Sequence, residues 1–131
     1  QLWEQIGSHI KIMEVDVHDR VLGMTSHLPH IVAYALVSQL AQQVDQDDCL
    51  ALAAGGFFDI TRVAGSDPVM WRDICLDNKA VTVELINAYQ TILDQIKESI
   101  TGSDGESLEE LFKAAKLLRN RLTTIKTESK N

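Results

Sequence analysis

From residue 16 onward, apolar residues recur along the chain at steps of three and four positions. This spacing predicts α-helices with one apolar face. The first helical segment contains "SHLPHIVAYALV", residues 26–37. Residues 31–40 are apolar on nearly every side, which predicts a helix that is buried all round. Because Pro29 lacks a backbone donor and crowds the preceding turn, we expect one kinked helix or two abutting helices near residues 25–28.

Polar breaks mark the starts of the next helices. The acidic stretch "DQDD", residues 45–48, predicts a helix N-terminus with negative charge in its first turn. The Gly-Gly step at residues 55–56 predicts a helix break or a close approach of the backbone to another group. The sequence "SDP", residues 66–68, predicts another start, with the serine or the aspartate as the cap and the proline in the first turn.

Two long amphipathic helices are predicted to complete the chain. Apolar residues at helical spacing run from residue 85 to 100 and from 108 to 125, with a polar loop between them. Ser107 followed by Glu110 fits a capping box, in which two side chains bond each other's backbone donors at a helix start. The closing "TESKN" is expected to fray.

The beginning of the chain has a different pattern. Residues 1–8 resemble a helix end, and "HIKIMEV", residues 9–15, alternates with period two, which predicts a strand. A single strand needs a sheet to join, and no other segment predicts a strand. We therefore expect a missing domain upstream, and treat the chain, which starts with Gln, as a fragment. The expected divisions are residues 1–15 as the end of that domain and its connector, 16–128 as one all-α domain, and 129–131 as a frayed tail.

The expected central helix bears on the oligomeric state. A helix that is apolar on every face is hard to cover within one small chain. Two interleaved copies would cover it, so we expect a homodimer with a large apolar interface.

Composition and charge narrow the classes of function. The chain is 45% apolar and 24% charged, with a formal charge of −7, which argues against nucleic-acid binding. The lysines and arginines near the end alternate with apolar residues and predict a solvated helix face. Two cysteines without a CxxC pair, no unbroken apolar run of about 18 residues and no signal peptide lead us to expect a cytoplasmic protein without a membrane span.

Three histidines are the first candidates for chemistry. His18, His27 and His30 lie close together in sequence, but Pro29 disturbs the helix face that the last two would share. There is no HExxH motif and no Cys/His quartet, so a metal site is disfavoured. A structural role is the plainer interpretation. A histidine is also well suited to hold a carboxylate or a carbonyl near neutral pH.

Arg62 is the second candidate. It stands among apolar residues, so its guanidinium either pairs with Asp59, three residues earlier, or binds an anion such as a carboxylate. The Gly-Gly step at residues 55–56 lacks the preceding strand and the spacing of a dinucleotide-binding loop. Trp71 is either a core residue or the wall of a pocket.

Two segments, "HDRVLGMTSHLPHIVAYALV" and "LAAGGFFDITRVAGSDPVMWRDICLDN", resemble the C-terminal helical domain of prephenate dehydrogenases and their arogenate-specific relatives. The shared motifs are in order and cover residues 18–78, about half of the chain. The resemblance implies an all-α dimerisation domain of the 6-phosphogluconate-dehydrogenase-like C-terminal type. The N-terminal helix and strand would then be the remainder of a Rossmann domain.

The resemblance also implies an activity. These enzymes oxidatively decarboxylate prephenate or arogenate in tyrosine biosynthesis, and NAD or NADP accepts the hydride. Their catalytic base and glycine-rich loop belong to the nucleotide-binding domain, so we expect no catalytic, cofactor-binding or metal-binding residue in this chain, and no activity from it alone. A stand-alone, non-catalytic helical dimer or regulatory module is the alternative, and the predicted strand counts against it. An oxidoreductase with a different substrate is a third reading, disfavoured by the intact "SHLPH" and "DITR".

Site residues follow from the same resemblance. His30 would reach the substrate, with Pro29 bending the helix toward the cleft, and Arg62 would bind a substrate carboxylate. Phe58 departs from the family, in which that position is often basic, and so leaves the choice between prephenate and arogenate open. The residues expected near the pocket, partly donated across the dimer, are His18, Asp19, Ser26, Gly55 and Trp71.

Overall fold

The computed structural model describes residues 14–130, and every regular element among them is helical. The elements are α1 (Val15–Leu22), a π-turn (Gly23–His27), α2 (Leu28–Ala41), α3 (Gln46–Leu52), α4 (Gly55–Thr61), a 3₁₀ turn (Arg62–Gly65), α5 (Pro68–Asp77), α6 (Lys79–Thr101) and α7 (Gly105–Lys130). The all-α prediction is confirmed. The described residues fall into two compact units, Glu14–Ala88 and 89–130.

The predicted N-terminal helix end and most of the predicted strand lie outside the described residues. Val15, the last residue of that strand prediction, begins α1 instead. The preceding Glu14 is extended, and its carbonyl accepts the first helical hydrogen bond from the His18 N–H at 2.9 Å. The helix α1 therefore begins at Val15, the residue before the expected start of the helical domain.

The helix distortion expected before Pro29 is present as the π-turn within one continuous helix. In this turn the Leu28 N–H bonds to the carbonyl of Gly23, five residues back, whereas an α-helix bonds four residues back. The proline can donate no bond, and its ring would crowd the carbonyl four residues back. A wide turn immediately before it relieves that crowding, so the chain needs no break into two helices.

The core of the Glu14–Ala88 unit forms around α2, which contacts α3, α4 and the 3₁₀ turn. Its buried apolar side chains are Leu28, Ala33 and Trp71. The helix α6 approaches the π-turn closely: a Cβ added to Gly23 would lie 2.7 Å from Leu85 Cδ1. A larger side chain at this position would require the Leu85 side chain to shift.

Within one chain the helix α2 is only partly covered, and the burial expected for it requires a second copy. Most of its residues are half-buried or exposed, and Val37 is 37% exposed. The reason is that short helices and turns pack on part of its surface only. An apolar surface therefore remains open along this helix.

Among residues 14–130, the continuous helix Val15–Ala41 is long and apolar enough to cross a membrane by length and composition alone. The expectation of no such segment relied on unbroken apolar runs, whereas an averaged hydropathy tolerates the polar residues between them. Core helices of soluble proteins pass the same test, so this is weak evidence for a membrane span.

Helix starts were predicted with mixed success. Asp67 caps α5 by accepting a hydrogen bond from the Val69 N–H at 3.0 Å, with Pro68 in the first turn, as predicted. The acidic start of α3 is also confirmed. The break near the glycines instead falls on residues 53–54, because Gly55 already begins α4.

The predicted capping box of α7 is wrong. The capping side chain is Asp104, whose Oδ1 accepts from the Ser107 N–H at 3.1 Å and whose Oδ2 accepts from the Ser107 hydroxyl at 2.7 Å. These two hydrogen bonds, first the hydroxyl and then the backbone, lower the pKa of the Asp104 carboxyl. Ser103, just before it, has φ 54°, in the left-handed region of the backbone.

The unit of residues 89–130 holds the C-terminal part of α6 and all of α7. The helices α6 and α7 are the two long helices that were predicted. No residue of α7 is buried, and its helix continues to Lys130, so residues 127–130 are helical where fraying was expected. The late lysines and arginines are exposed, as predicted for a solvated face, and Lys113 pairs with Glu109 at 2.9 Å. The large apolar side chains exposed on α7 are Phe112, Leu117, Leu118, Leu122 and Ile125.

Candidate functional site

His30 is held in the first turn of α2 by a hydrogen bond to the turn before it. Its Nδ1 lies 2.8 Å from the backbone carbonyl oxygen of Ser26. A carbonyl oxygen can only accept, so Nδ1 carries the proton of this bond. Nε2 is then the nitrogen left for another group. Ser26 thus contributes through its backbone, and the spacing of four residues in a helix brings the two groups together.

Trp71 of α5 packs directly on this imidazole. The two ring centroids are 3.6 Å apart and the ring planes differ by 16°, which is a stacked arrangement. The His27 ring meets the same indole edge-on, at 6.0 Å and 78°. Trp71 is 8% exposed. The structure therefore assembles a cluster of His27, Trp71 and His30, which we call the His–Trp–His cluster.

His27 keeps an unused polar atom inside this cluster. Its Nδ1 is buried and makes no hydrogen bond with the described residues. An imidazole in which one nitrogen is buried without a partner carries a desolvation cost. Because its only ring contact is with the indole, His27 belongs to the packing around Trp71 within the described residues.

Arg62 opens the 3₁₀ turn and is exposed. Of the two interpretations of this residue, the ion pair with Asp59 is wrong: within residues 14–130 no carboxylate lies at ion-pair distance from its guanidinium. The α-helical face that would align the pair ends at Thr61, where the tighter turn begins. The guanidinium is therefore available to an anion.

Tyr34 links the Arg62 turn to the helix of His30. Its hydroxyl donates to the backbone carbonyl of Ser66 at 2.8 Å, just after the 3₁₀ turn. Tyr34 stands four residues after His30, so the two lie on neighbouring turns of one helix face. The sequence analysis missed this residue, although the spacing was a signal that could have indicated it.

The other predicted pocket residues are more dispersed. His18 and Asp19 lie on α1, with 3.7 Å between His18 Nδ1 and Asp19 Oδ1. Gly55 begins α4, and a Cβ added there would meet no atom within 4 Å. Phe58 on the same helix is 64% exposed. No hydrogen bond or ring contact of the described residues joins Asp19 or Gly55 to the His–Trp–His cluster.

The described residues do not fit a dinucleotide site. Gly55 and Gly56 open a helix of seven residues, and the segment before it in residues 14–54 contains no strand. The dinucleotide fingerprint needs a strand, a glycine-rich turn and a helix in that order. Among residues 14–130, no three His, Cys, Asp or Glu side chains come together as metal ligands would.

Comparison with known proteins gives one consistent family. The family model described as "Prephenate dehydrogenase, dimerization domain" matches residues 14–114. Cyclohexadienyl dehydrogenase of Zymomonas mobilis is 36% identical over 124 residues, which are 93% of this chain and 42% of that protein. Prephenate dehydrogenase of Bacillus subtilis is 40% identical over 117 residues, 88% of this chain and 32% of that protein. The chain thus spans less than half the length of these relatives.

Solved structures agree with the sequence comparisons. Prephenate dehydrogenase from A. aeolicus, in complex with hydroxyphenyl propionate and NAD⁺, matches with a TM-score of 0.78 and 41% identity over 86% of this chain and 40% of that one. Synechocystis arogenate dehydrogenase matches with a TM-score of 0.81 and 26% identity, over 86% of this chain and 41% of that one. Together with the family match, these likenesses show that the chain belongs to the prephenate dehydrogenase family, in which it corresponds to the dimerization domain.

Proposed function

We propose that this chain is the substrate-binding and dimerisation part of an enzyme that oxidatively decarboxylates prephenate or arogenate with NAD or NADP. The observation that carries the proposal is that two polar side chains on neighbouring elements each keep a group without a partner among the described residues. His30 has its Nδ1 occupied and its Nε2 left over, and the exposed Arg62 has no carboxylate partner within the described residues. Both stand on elements that pack against each other.

Their chemistry suits a small carboxylate ligand. A guanidinium can give a carboxylate two parallel hydrogen bonds, and such charge-assisted bonds are stronger than neutral ones. The imidazole Nε2 accepts from a hydroxyl when neutral and donates to a carboxylate or a carbonyl when protonated. The relative from A. aeolicus binds hydroxyphenyl propionate, which carries both a hydroxyl and a carboxylate.

The proposed homodimer would use the apolar surfaces that one chain leaves open. The helix α2 is only partly covered, and α7 has no buried residue. An exposed apolar surface of this extent is typical of a protein interface. A second copy of the chain is the proposed occupant, in keeping with the name of the matching family domain. Burial by that copy also explains why Val15–Ala41 is as apolar as a membrane helix.

The nucleotide is assigned to another part of the enzyme. Because the described residues do not fit a dinucleotide site, we assign no step of hydride transfer to this chain. We expect the base and the glycine-rich loop in a preceding domain, and a cytoplasmic location like that of other soluble biosynthetic enzymes. Prephenate mixed with NAD⁺ and this chain alone should yield no NADH, and measurable NADH formation would contradict this division of labour.

Isothermal titration calorimetry tests the site by measuring how tightly the 131-residue chain binds hydroxyphenyl propionate. Arg62→Ala should weaken binding by about 1.5–3 kcal/mol, or roughly 10- to 150-fold, as for hydrogen bonds to a charged group. Arg121→Ala removes the same charge from exposed α7 and should leave binding unchanged. Equal effects of the two substitutions, or no saturable binding by the unsubstituted chain, would refute the proposed site.

A further inference from the structure

Two contacts restrict the His30 ring in different ways. The Ser26 carbonyl fixes the edge of the ring through Nδ1 at 2.8 Å, and the Trp71 indole covers one face at a centroid distance of 3.6 Å. A hydrogen bond alone leaves the ring free to tilt about it. A stacked neighbour alone leaves the ring free to flip by 180° about its Cβ–Cγ bond, which exchanges Nδ1 with Cδ2 and Nε2 with Cε1. Acting together, the two contacts leave one orientation.

That orientation has a chemical consequence. The bond to a carbonyl keeps the proton on Nδ1 in the neutral ring and in the imidazolium alike. In the neutral ring, Nε2 is then the nitrogen with a free lone pair. A ring flipped by 180° would present the Cε1–H group in place of Nε2 and would lose the bond to the Ser26 carbonyl, so the orientation decides whether a ligand meets a nitrogen at all.

The position of Trp71 is fixed by its burial and by the start of α5. It is 8% exposed, it follows the Asp67 cap and Pro68 within the first turn of α5, and its N–H bonds to the Asp67 carbonyl at 3.2 Å. The edge of His27 rests on the same indole. The two histidines of "HLPH" are thus located by one side chain from a different helix.

We propose that Trp71 is a positioning residue for His30, and that with the Ser26 carbonyl it makes Nε2 the single nitrogen presented to a ligand. The role toward a substrate rests on the proposed function above. The state of the ring does not, because it is a property of the chain without any ligand.

Nuclear magnetic resonance of the ¹⁵N-labelled histidine rings tests the ring state. In the unsubstituted chain His30 should show one tautomer, protonated at Nδ1, with ring protons shifted upfield by the indole. Trp71→Phe keeps a flat ring and should preserve this signature, whereas Trp71→Leu should give a mixture of tautomers. Met70→Leu, at an exposed neighbouring position of α5, is the matched control and should change nothing.

The unsubstituted chain can overturn the proposal even if Trp71→Leu does not fold. An Nε2-protonated tautomer, or His30 ring protons without the upfield shift, would refute it. In a folded Trp71→Leu chain, an unchanged tautomer would also refute it.

Affinity for hydroxyphenyl propionate separates positioning from direct contact. Trp71→Leu should weaken binding at least several-fold when His30 is present, and should add little to the loss already caused by His30→Ala. Trp71→Phe should restore binding. If the losses of binding free energy caused by Trp71→Leu and His30→Ala add in the double variant, Trp71 touches the ligand itself. That result would overturn its assignment as a positioning residue. A chain with the expected ring signature that binds no ligand would refute the proposed function and leave the positioning role intact.

Discussion

Tyr34 and Ser66 are joined across 32 positions of the sequence by a hydrogen bond of 2.8 Å from the tyrosine hydroxyl to the serine carbonyl. The bond ties the end of the 3₁₀ turn, which opens with Arg62, to the helix that carries His30. The two groups of the proposed site are therefore located relative to each other by a residue that belongs to neither. This relationship makes Tyr34 the first residue to test for stability.

Tyr34→Phe should lower the free energy of unfolding by about 0.5–1.5 kcal/mol, because a partly buried carbonyl loses its donor. Chemical denaturation followed by circular dichroism measures the change. Tyr89→Phe is the matched control, since the Tyr89 hydroxyl makes no hydrogen bond within residues 14–130. Equal stabilities of the two variants would show that the Tyr34 bond contributes nothing.

Gly23→Ala should destabilise the chain although it removes a glycine from a helix. The new Cβ would lie 2.7 Å from Leu85 Cδ1 and 3.3 Å from Val81 Cγ1. Overpacking costs about 1–3 kcal/mol, whereas alanine gains roughly 1 kcal/mol over glycine inside a helix, so we expect a net destabilisation of up to about 2 kcal/mol.

Gly56→Ala is the control for this substitution, because a Cβ there meets no atom within 4 Å. It should be neutral or slightly stabilising. Thermal unfolding of the two variants side by side measures the contrast, and a similar melting temperature for both would contradict the close approach at Gly23.

Asp104 should make the stability of α7 depend on pH in the acid range. Its pKa is lowered from the ordinary value of 3.8 by the Ser107 hydroxyl and backbone N–H. Because the folded pKa is the lower one, the stabilisation is complete above about pH 3.8 and is lost as the pH falls through the folded value. Helix content recorded between about pH 6 and pH 2 should show this loss.

Asp104→Asn is the matched variant for the pH experiment. Asparagine also caps helices well but does not titrate. The variant should therefore keep most of the helix content near neutral pH and lose the component of acid sensitivity that belongs to this cap. Identical acid profiles for the two chains would exclude Asp104 as its source.

Leu118→Glu should dissociate the proposed homodimer. Leu118 is 64% exposed on α7, and a charge placed in an apolar interface must be desolvated without a partner. Asn120→Glu adds the same charge two residues along, which is about 200° around the helix, and should leave the dimer intact. Analytical ultracentrifugation distinguishes the two, and a dimer that tolerates both substitutions would place the interface elsewhere.

Helix starts and helix distortions were well predicted where the residues of a single turn determine them. Asp67 and Pro68 start α5 as expected, and Pro29 is preceded by a distorted turn. The cap of α7 was assigned three residues too late because Ser107 and Glu110 fit a capping box, while Asp104 is an equally good cap that comes earlier.

The candidate site was less predictable because its contacts are long-range. Trp71 and His30 stack across 41 positions of sequence, and no periodicity indicates such a contact. The pairing of Arg62 with Asp59 is reasonable on an α-helix, and it failed because the helix changes to a 3₁₀ turn between them. The open surface of α2 could be recognised from its apolar residues, but not which neighbours would cover part of it.

The π-turn Gly23–His27 also acts as a shift of helical phase. One extra residue in a turn rotates everything that follows by about 100° relative to everything before it. Residues of α1 and α2 that would share one stripe on an uninterrupted α-helix therefore point in different directions. A chain shortened by one residue in this turn would keep nearly the same composition and charge, yet α1 would present a different side to the elements that surround α2. The direction in which the side chains of α1 point thus depends on the number of residues in the turn as much as on their identity.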